Sequence, residues 1–153
     1  MAHILIIYHS QTGHTRRMAE AVAAGAASIE NSQVVLKAAA EAGIEDLAAC
    51  DGLVIGSPEY FGYMAGMIKD FFDRTYETAH QQPNRFRKPY MLFISAGNDG
   101  RNARDQIERI CVGFRFRKVY ESLIARGELN GTVLEKCRDM GQTIAAGCDL
   151  GIY

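Results

Sequence analysis

The 153-residue sequence has no tryptophan, three prolines and four cysteines, none of them in a C-x-x-C pair. Cys50, Cys111, Cys137 and Cys148 stand far apart with no histidine pairs beside them, which excludes a zinc cluster and a disulfide framework. Cys111, Cys137 and Cys148 fall instead in apolar stripes of predicted helices, where a thiol serves as a small hydrophobe. No apolar run approaches the ~18 residues that a membrane span requires. The first such run, Ile4 to Tyr8, follows His3 rather than a basic segment and lacks a small-residue cleavage site, so it is not read as a signal peptide. A cytoplasmic protein without a membrane partner is the expectation.

Net charge is nearly lacking too, at −1, but it is unevenly spread. Nine basic residues and three acidic ones lie between Arg85 and Lys118. Such a stretch is either a solvated face or a site for an anionic ligand or partner. It has no aromatic interleaving and no nucleic-acid motif, so DNA and RNA are excluded as partners.

What is present is an alternation of strand and helix along the whole chain. His3–His9 is a short continuous apolar run, as expected of a strand buried on both faces. A helix is predicted from about His14 to Ile29, and a second strand at Gln33 to Lys37. A short helix near Glu45 to Cys50 precedes a third strand, Gly52 to Ser57, which Pro58 is expected to end. Helical spacing returns at Met64, Ile68, Phe71, Phe72 and Thr75, and "HQQPNRFRKP" reads as a loop. Tyr90 to Ala96 is a fourth strand, followed by a helix from about Asn102. "KVYESLIA" is a polar fifth strand at the sheet edge, and a last helix runs from about Thr132 to Cys148. One domain, residues 1–153, with a parallel, doubly wound α/β sheet is implied.

In such sheets ligands bind outside the carboxyl ends of the strands. The turns after strands one, three and four are "SQTGHT", "SPEYFGYM" and "SAGNDGRN", all rich in small polar residues. The first opens a helix, where free N–H groups and the helix dipole attract an anion such as phosphate. Its hydroxyls add donors and Gly13 permits close approach of the backbone, although Thr12 could also serve as a plain helix cap. It contains no lysine, and there is neither G-x-x-x-x-G-K-[ST] nor G-x-G-x-x-G after the first strand. P-loop nucleotidases and Rossmann dinucleotide domains are thereby excluded. Ser10 and Ser57, not acids, end strands one and three, which excludes a phosphoacceptor receiver domain.

S-x-T-G-x-T after a first buried strand resembles the flavodoxin superfamily, whose loop holds the phosphate of FMN without a lysine. Gly56 to Thr75, "GSPEYFGYMAGMIKDFFDRT", resembles the tryptophan-repressor-binding-protein-like NAD(P)H:quinone oxidoreductases of that superfamily. The resemblance implies a flavodoxin-like three-layer sandwich with a five-stranded parallel sheet of order 2-1-3-4-5. It also implies that Ser10, Gln11, Thr12, Gly13, His14 and Thr15 hold the FMN phosphate. Pro58, Glu59, Tyr60, Phe61 and Gly62 would line the isoalloxazine by backbone contact and ring packing. Ser95, Ala96, Gly97, Asn98 and Gly100 would form the other wall, with N–H groups near the flavin carbonyls.

Flavodoxin-type carriers usually stack the flavin between aromatics, often including a tryptophan, and are strongly acidic. Neither property is found here. An uncovered flavin face leaves room for a nicotinamide or quinone, so the expected function is an FMN-dependent oxidoreductase. It would take hydride from NAD(P)H and pass electrons to a small quinone-like substrate, with no side chain as an obligatory acid or base. Arg101 and Arg104 are candidates for the NAD(P)H phosphates, and Tyr63 and His80 for the pocket rim. The resembled reductases are longer, with inserted segments, so an electron carrier serving a redox protein partner is the alternative. A homodimer is expected from the relatives.

Overall fold

Ile4, Ile6, Leu5 and Ile7 are all essentially inaccessible, so the first strand is buried from both sides, as a continuous apolar run requires. The computed structural model describes residues 1–153. Its elements run β1 (Ala2–Tyr8), α1 (His14–Ala27), β2 (Ser32–Ala38), α2 (Ile44–Ala49), β3 (Gly52–Tyr60), β4 (Tyr63–Met64), α3 (Gly66–Gln81), α4 (Pro83–Phe86), β5 (Pro89–Ala96), α5 (Arg101–Gly113), β6 (Arg117–Lys118), β7 (Leu123–Arg126) and α6 (Gly131–Asp149). Successive side chains of a strand point to opposite faces, and each face has its own core. Leu5, Ile7, Leu53, Ile55, Leu92 and Ile94 pack with Ile68, Phe71, Phe72 and Ile107 of α3 and α5. Ile4, Ile6, Val54, Met91 and Phe93 pack with Met18, Val22, Met140 and Ile144 of α1 and α6. The result is helix, sheet, helix in three layers.

The parallel strands run β2-β1-β3-β5-β6, with β7 also beside β5 and β4 antiparallel to β3. This differs from the expected 2-1-3-4-5 because two short strands were not anticipated. The first arises because Pro58 does not end β3. The His9 N–H donates to the Gly56 carbonyl at 3.2 Å, so Gly56 faces β1 and Pro58, two residues on, faces the same side beyond the end of β1. A missing N–H breaks no ladder there. The strand continues to Tyr60 and turns back as β4, pairing Tyr60 with Tyr63.

The fifth strand is likewise interrupted. Arg117 and Lys118 pair with Pro89 and Tyr90, the chain leaves the sheet, and Leu123–Arg126 pair with Phe93–Ala96. Glu108 of α5 brackets the excursion, accepting from Lys118 Nζ at 3.1 Å and from Ser122 Oγ at 3.0 Å. Within "HQQPNRFRKP", Pro83 starts the four-residue helix α4 rather than a plain loop. No helix is long and apolar enough to cross a membrane, and all four cysteines are free.

Candidate functional site

The turn after β1 is shaped by Gly13, whose φ of 105° excludes most L side chains. Ser10 Oγ accepts the Gly13 N–H at 3.1 Å and closes the turn. Gly13, not Thr12, is the residue preceding α1, and no side chain caps that helix. The amides of Gln11, Thr12, His14 and Thr15 therefore donate to no group in the protein. A Cβ built on Gly13 meets nothing within 4 Å, so the backbone there is open to its surroundings. Thr15 is 2 % exposed as a residue, but its hydroxyl is not sealed away without a partner. Unpaired amides, hydroxyls and the positive end of a 14-residue helix converge here.

Beyond Pro58 the β3–β4 hairpin turns at Phe61 and Gly62, both at positive φ (52° and 73°), the signature of a type I′ turn. Glu59 carries the unexpected contact. Its carboxylate accepts the Asn98 N–H at 2.8 Å and the Gly100 N–H at 2.9 Å, tying this hairpin to the turn after β5. Asn102 Nδ2 adds a bond of 2.7 Å to the Gly62 carbonyl. At the base, buried Ser57 accepts the Ala65 N–H at 3.0 Å and donates to the Pro58 carbonyl at 2.8 Å. The hairpin is held at both ends.

A cleft of about 220 Å³ lies between the three turns. Of the expected residues, Thr12, His14, Pro58, Glu59, Tyr60, Ser95, Ala96 and Gly97 line it. Ser10, Gln11, Gly13 and Thr15 form the adjoining turn. Phe61 does not line the cleft: it is wholly exposed at the hairpin tip, with Gly62 beside it. Asn98 and Gly100 spend their N–H groups on Glu59 and so do not offer them to a ligand. Burial holds the Tyr60 phenol above its usual range, and its ring meets His9 edge-on at 5.9 Å.

Gly127 and Glu128, in the turn after β7, also line the cleft and were not anticipated. Glu128 Oε2 lies 3.6 Å from His14 Nε2, and the Gly127 N–H donates to the Ala96 carbonyl at 2.9 Å. The same rule that selected the other turns selects this one once β7 is counted as a full strand. Arg104 pairs with Asp105 at 2.9 Å. His80 lies in the last turn of α3, stacked on Tyr76, at the far end of a helix that starts beside the site.

The three-layer architecture and the placement of this cleft define a flavodoxin-like α/β protein. A flavodoxin from the domain Archaea superposes with a TM-score of 0.85 over 96 % of this chain and 99 % of its own, at 22 % identity. A flavodoxin, WrbA-like protein from Agrobacterium tumefaciens does so with a TM-score of 0.81 over 98 % of this chain and 99 % of its own, at 27 % identity. The family model described as NADPH-dependent FMN reductase matches residues 28–127, and the chain belongs to that family. Aquifex aeolicus flavodoxin is 47 % identical over 73 residues, 48 % of this chain and 40 % of that protein. The NAD(P)H dehydrogenase (quinone) of Acidithiobacillus ferrooxidans is 39 % identical over 95 residues, 49 % of this chain and 48 % of that protein. These alignments take in less than half the length of either relative.

Proposed function

We propose that the chain is an FMN-dependent oxidoreductase that accepts hydride from NAD(P)H and delivers electrons to a small quinone-like acceptor. The observation that carries this reading is the turn Ser10–Thr15, where the amides of Gln11, Thr12, His14 and Thr15 are unpaired at the head of α1. Its donor set is neutral and directional, and suits a terminal phosphate rather than a metal or a sugar. The resident residues fit FMN: Thr12, Gly13, His14 and Thr15 would hold the phosphate, and Pro58, Tyr60, Ser95, Ala96 and Gly97 the ring.

When bound, FMN supplies the acceptance and release of electrons. The protein's part is placement. Glu59 fixes the distance between the two walls by bridging them. Tyr60 contributes to the cleft wall a phenol that burial keeps protonated. Gly97 carries no side chain and a Cβ there would meet nothing within 4 Å, so that wall leaves a flat substrate room to stack. A cytoplasmic setting and a homodimer belong to this same reading.

The family match and the quinone dehydrogenase relative support the enzyme. The flavodoxin relative favours a second reading, a carrier that exchanges electrons with a protein partner. Titration of the chain with FMN, followed by flavin fluorescence, tests both. One-to-one quenching is expected, and NAD(P)H should then be consumed steadily once a quinone is added. Consumption only with an added reductase selects the carrier. Thr12→Ala with Thr15→Ala should weaken FMN by about 1.5–3 kcal/mol for each hydrogen bond lost to the charged phosphate. Unchanged affinity in that double variant would sink the phosphate assignment.

A further inference from the structure

A second cavity, of about 380 Å³, opens at the opposite end of the sheet. Its walls come from the residues that precede or begin β3, β5 and β6, namely Asp51, Lys88, Pro89 and Arg117, and from Arg85 and Arg87 around α4. Four cationic side chains thus line it against one acidic side chain, beside Met1, whose ammonium is paired with Asp149. None of the four takes part in any ion pair of 4.0 Å or less.

Lys88 is held by its side chain, while Arg85, Arg87 and Arg117 are exposed. Lys88 is 9 % exposed, and its Nζ donates to the Cys50 carbonyl at 2.6 Å and the Ala48 carbonyl at 3.5 Å. These use two of three protons and leave its charge without a counter-ion. Arg117 stands on the adjacent strand, its backbone N–H donating to the Lys88 carbonyl at 2.8 Å. Arg85 lies over the Phe86 ring at 5.4 Å, and the Arg87 N–H closes α4 on the Pro83 carbonyl at 2.9 Å. Asp51 is partly engaged, because its carboxylate accepts the His3 N–H at 2.8 Å.

Exposed arginines on a convex face are simply solvated. These line a concavity that has the buried Lys88 in its wall. Guanidinium groups match phosphate oxygens in pairs, and convergence of like charges favours a ligand carrying more than one negative charge. The volume falls in the range of small-ligand pockets, about 300–1,000 Å³. A flat acidic protein surface would not reach Lys88.

We propose that this cavity is a second ligand site, separate from the cleft between the turns, which takes a compact, multiply charged phosphate compound. Inorganic pyrophosphate is the probe. Amide shifts of the isotope-labelled chain are followed during its titration at constant ionic strength. Saturable shifts are expected at Asp51, Asn84 to Lys88 and Arg117. Arg87→Ala with Arg117→Ala should weaken that binding at least tenfold, whereas Thr12→Ala with Thr15→Ala should leave it within twofold. Shifts confined to Ser10–Arg16, shifts that never saturate, or equal affinity in the arginine variant would each overturn the proposal. The map of the unaltered protein decides even where a variant does not fold.

Discussion

Phe61 combines a φ of 52° with a side chain that buries nothing. A non-glycine residue in the left-handed region costs roughly 1–2 kcal/mol, and here no packing offsets it. Asparagine adopts that region more readily and is favoured before glycine in a type I′ turn. Phe61→Asn should therefore raise the unfolding free energy of the cofactor-free protein by about 1 kcal/mol. Urea denaturation checks it, and a less stable variant would show that the aromatic ring contributes more than its exposure suggests. At this scale the sequence was partly legible. Gly62 announced the turn, but nothing in "SPEYFG" showed that Glu59 would reach across to the Asn98 and Gly100 amides. A contact between residues 39 and 41 positions apart is set by the sheet register, which local pattern does not contain.

Helices α1 and α6 pack backbone against backbone, and two glycines permit it. A methyl group at Gly25 would overlap the Arg138 carbonyl, and one at Gly141 would overlap the Val22 carbonyl. Both obstacles are backbone, so neither can swing aside. Gly25→Ala and Gly141→Ala should each cost about 3 kcal/mol, despite alanine's better helix propensity. Comparison of their urea midpoints with the parent's checks this; a gain in stability would mean that the helices are less tightly apposed. The four long helices and the three central strands were readable because each carries its own apolar period, whereas the four-residue α4 was not. The run-on of β3 past Pro58 was not, since a proline is harmless only where the neighbouring strand has already ended. Nor was the break between β6 and β7, which depends on Glu108 gathering Lys118 and Ser122 from another layer.

Across the whole molecule, the two ends of the sheet differ in kind: unpaired amides around the cleft, unpaired cations around the opposite cavity. The charge run Arg85–Lys118 was visible in the sequence, but its convergence needed the strand starts to be adjacent. The layers between the ends make the molecule sensitive to alkali. Burial raises the Cys50 and Cys137 thiols from an ordinary value of about 9 to about 12 and Cys148 to about 11. Cys111 is raised further, and the Tyr90 phenol moves the same way for the same reason. The folded chain therefore keeps these protons at pH values where the unfolded chain releases them. This contribution to stability is fully present below about pH 9 and is lost as pH rises towards 12. Each thiol steepens the fall by up to about 1.4 kcal/mol per pH unit. Urea unfolding across the range from neutral to strongly alkaline pH should show a flat region and then this decline. Cys111→Ala should make the decline shallower by one thiol's share. A disulfide reagent added near neutral pH should find Cys50, Cys111 and Cys137 unreactive until the chain unfolds, with the partly exposed Cys148 the first to react. An alkaline profile as flat as the neutral one, or rapid labelling of Cys50, Cys111 or Cys137 in the native protein, would mean that the two cores admit water far more readily than their packing indicates.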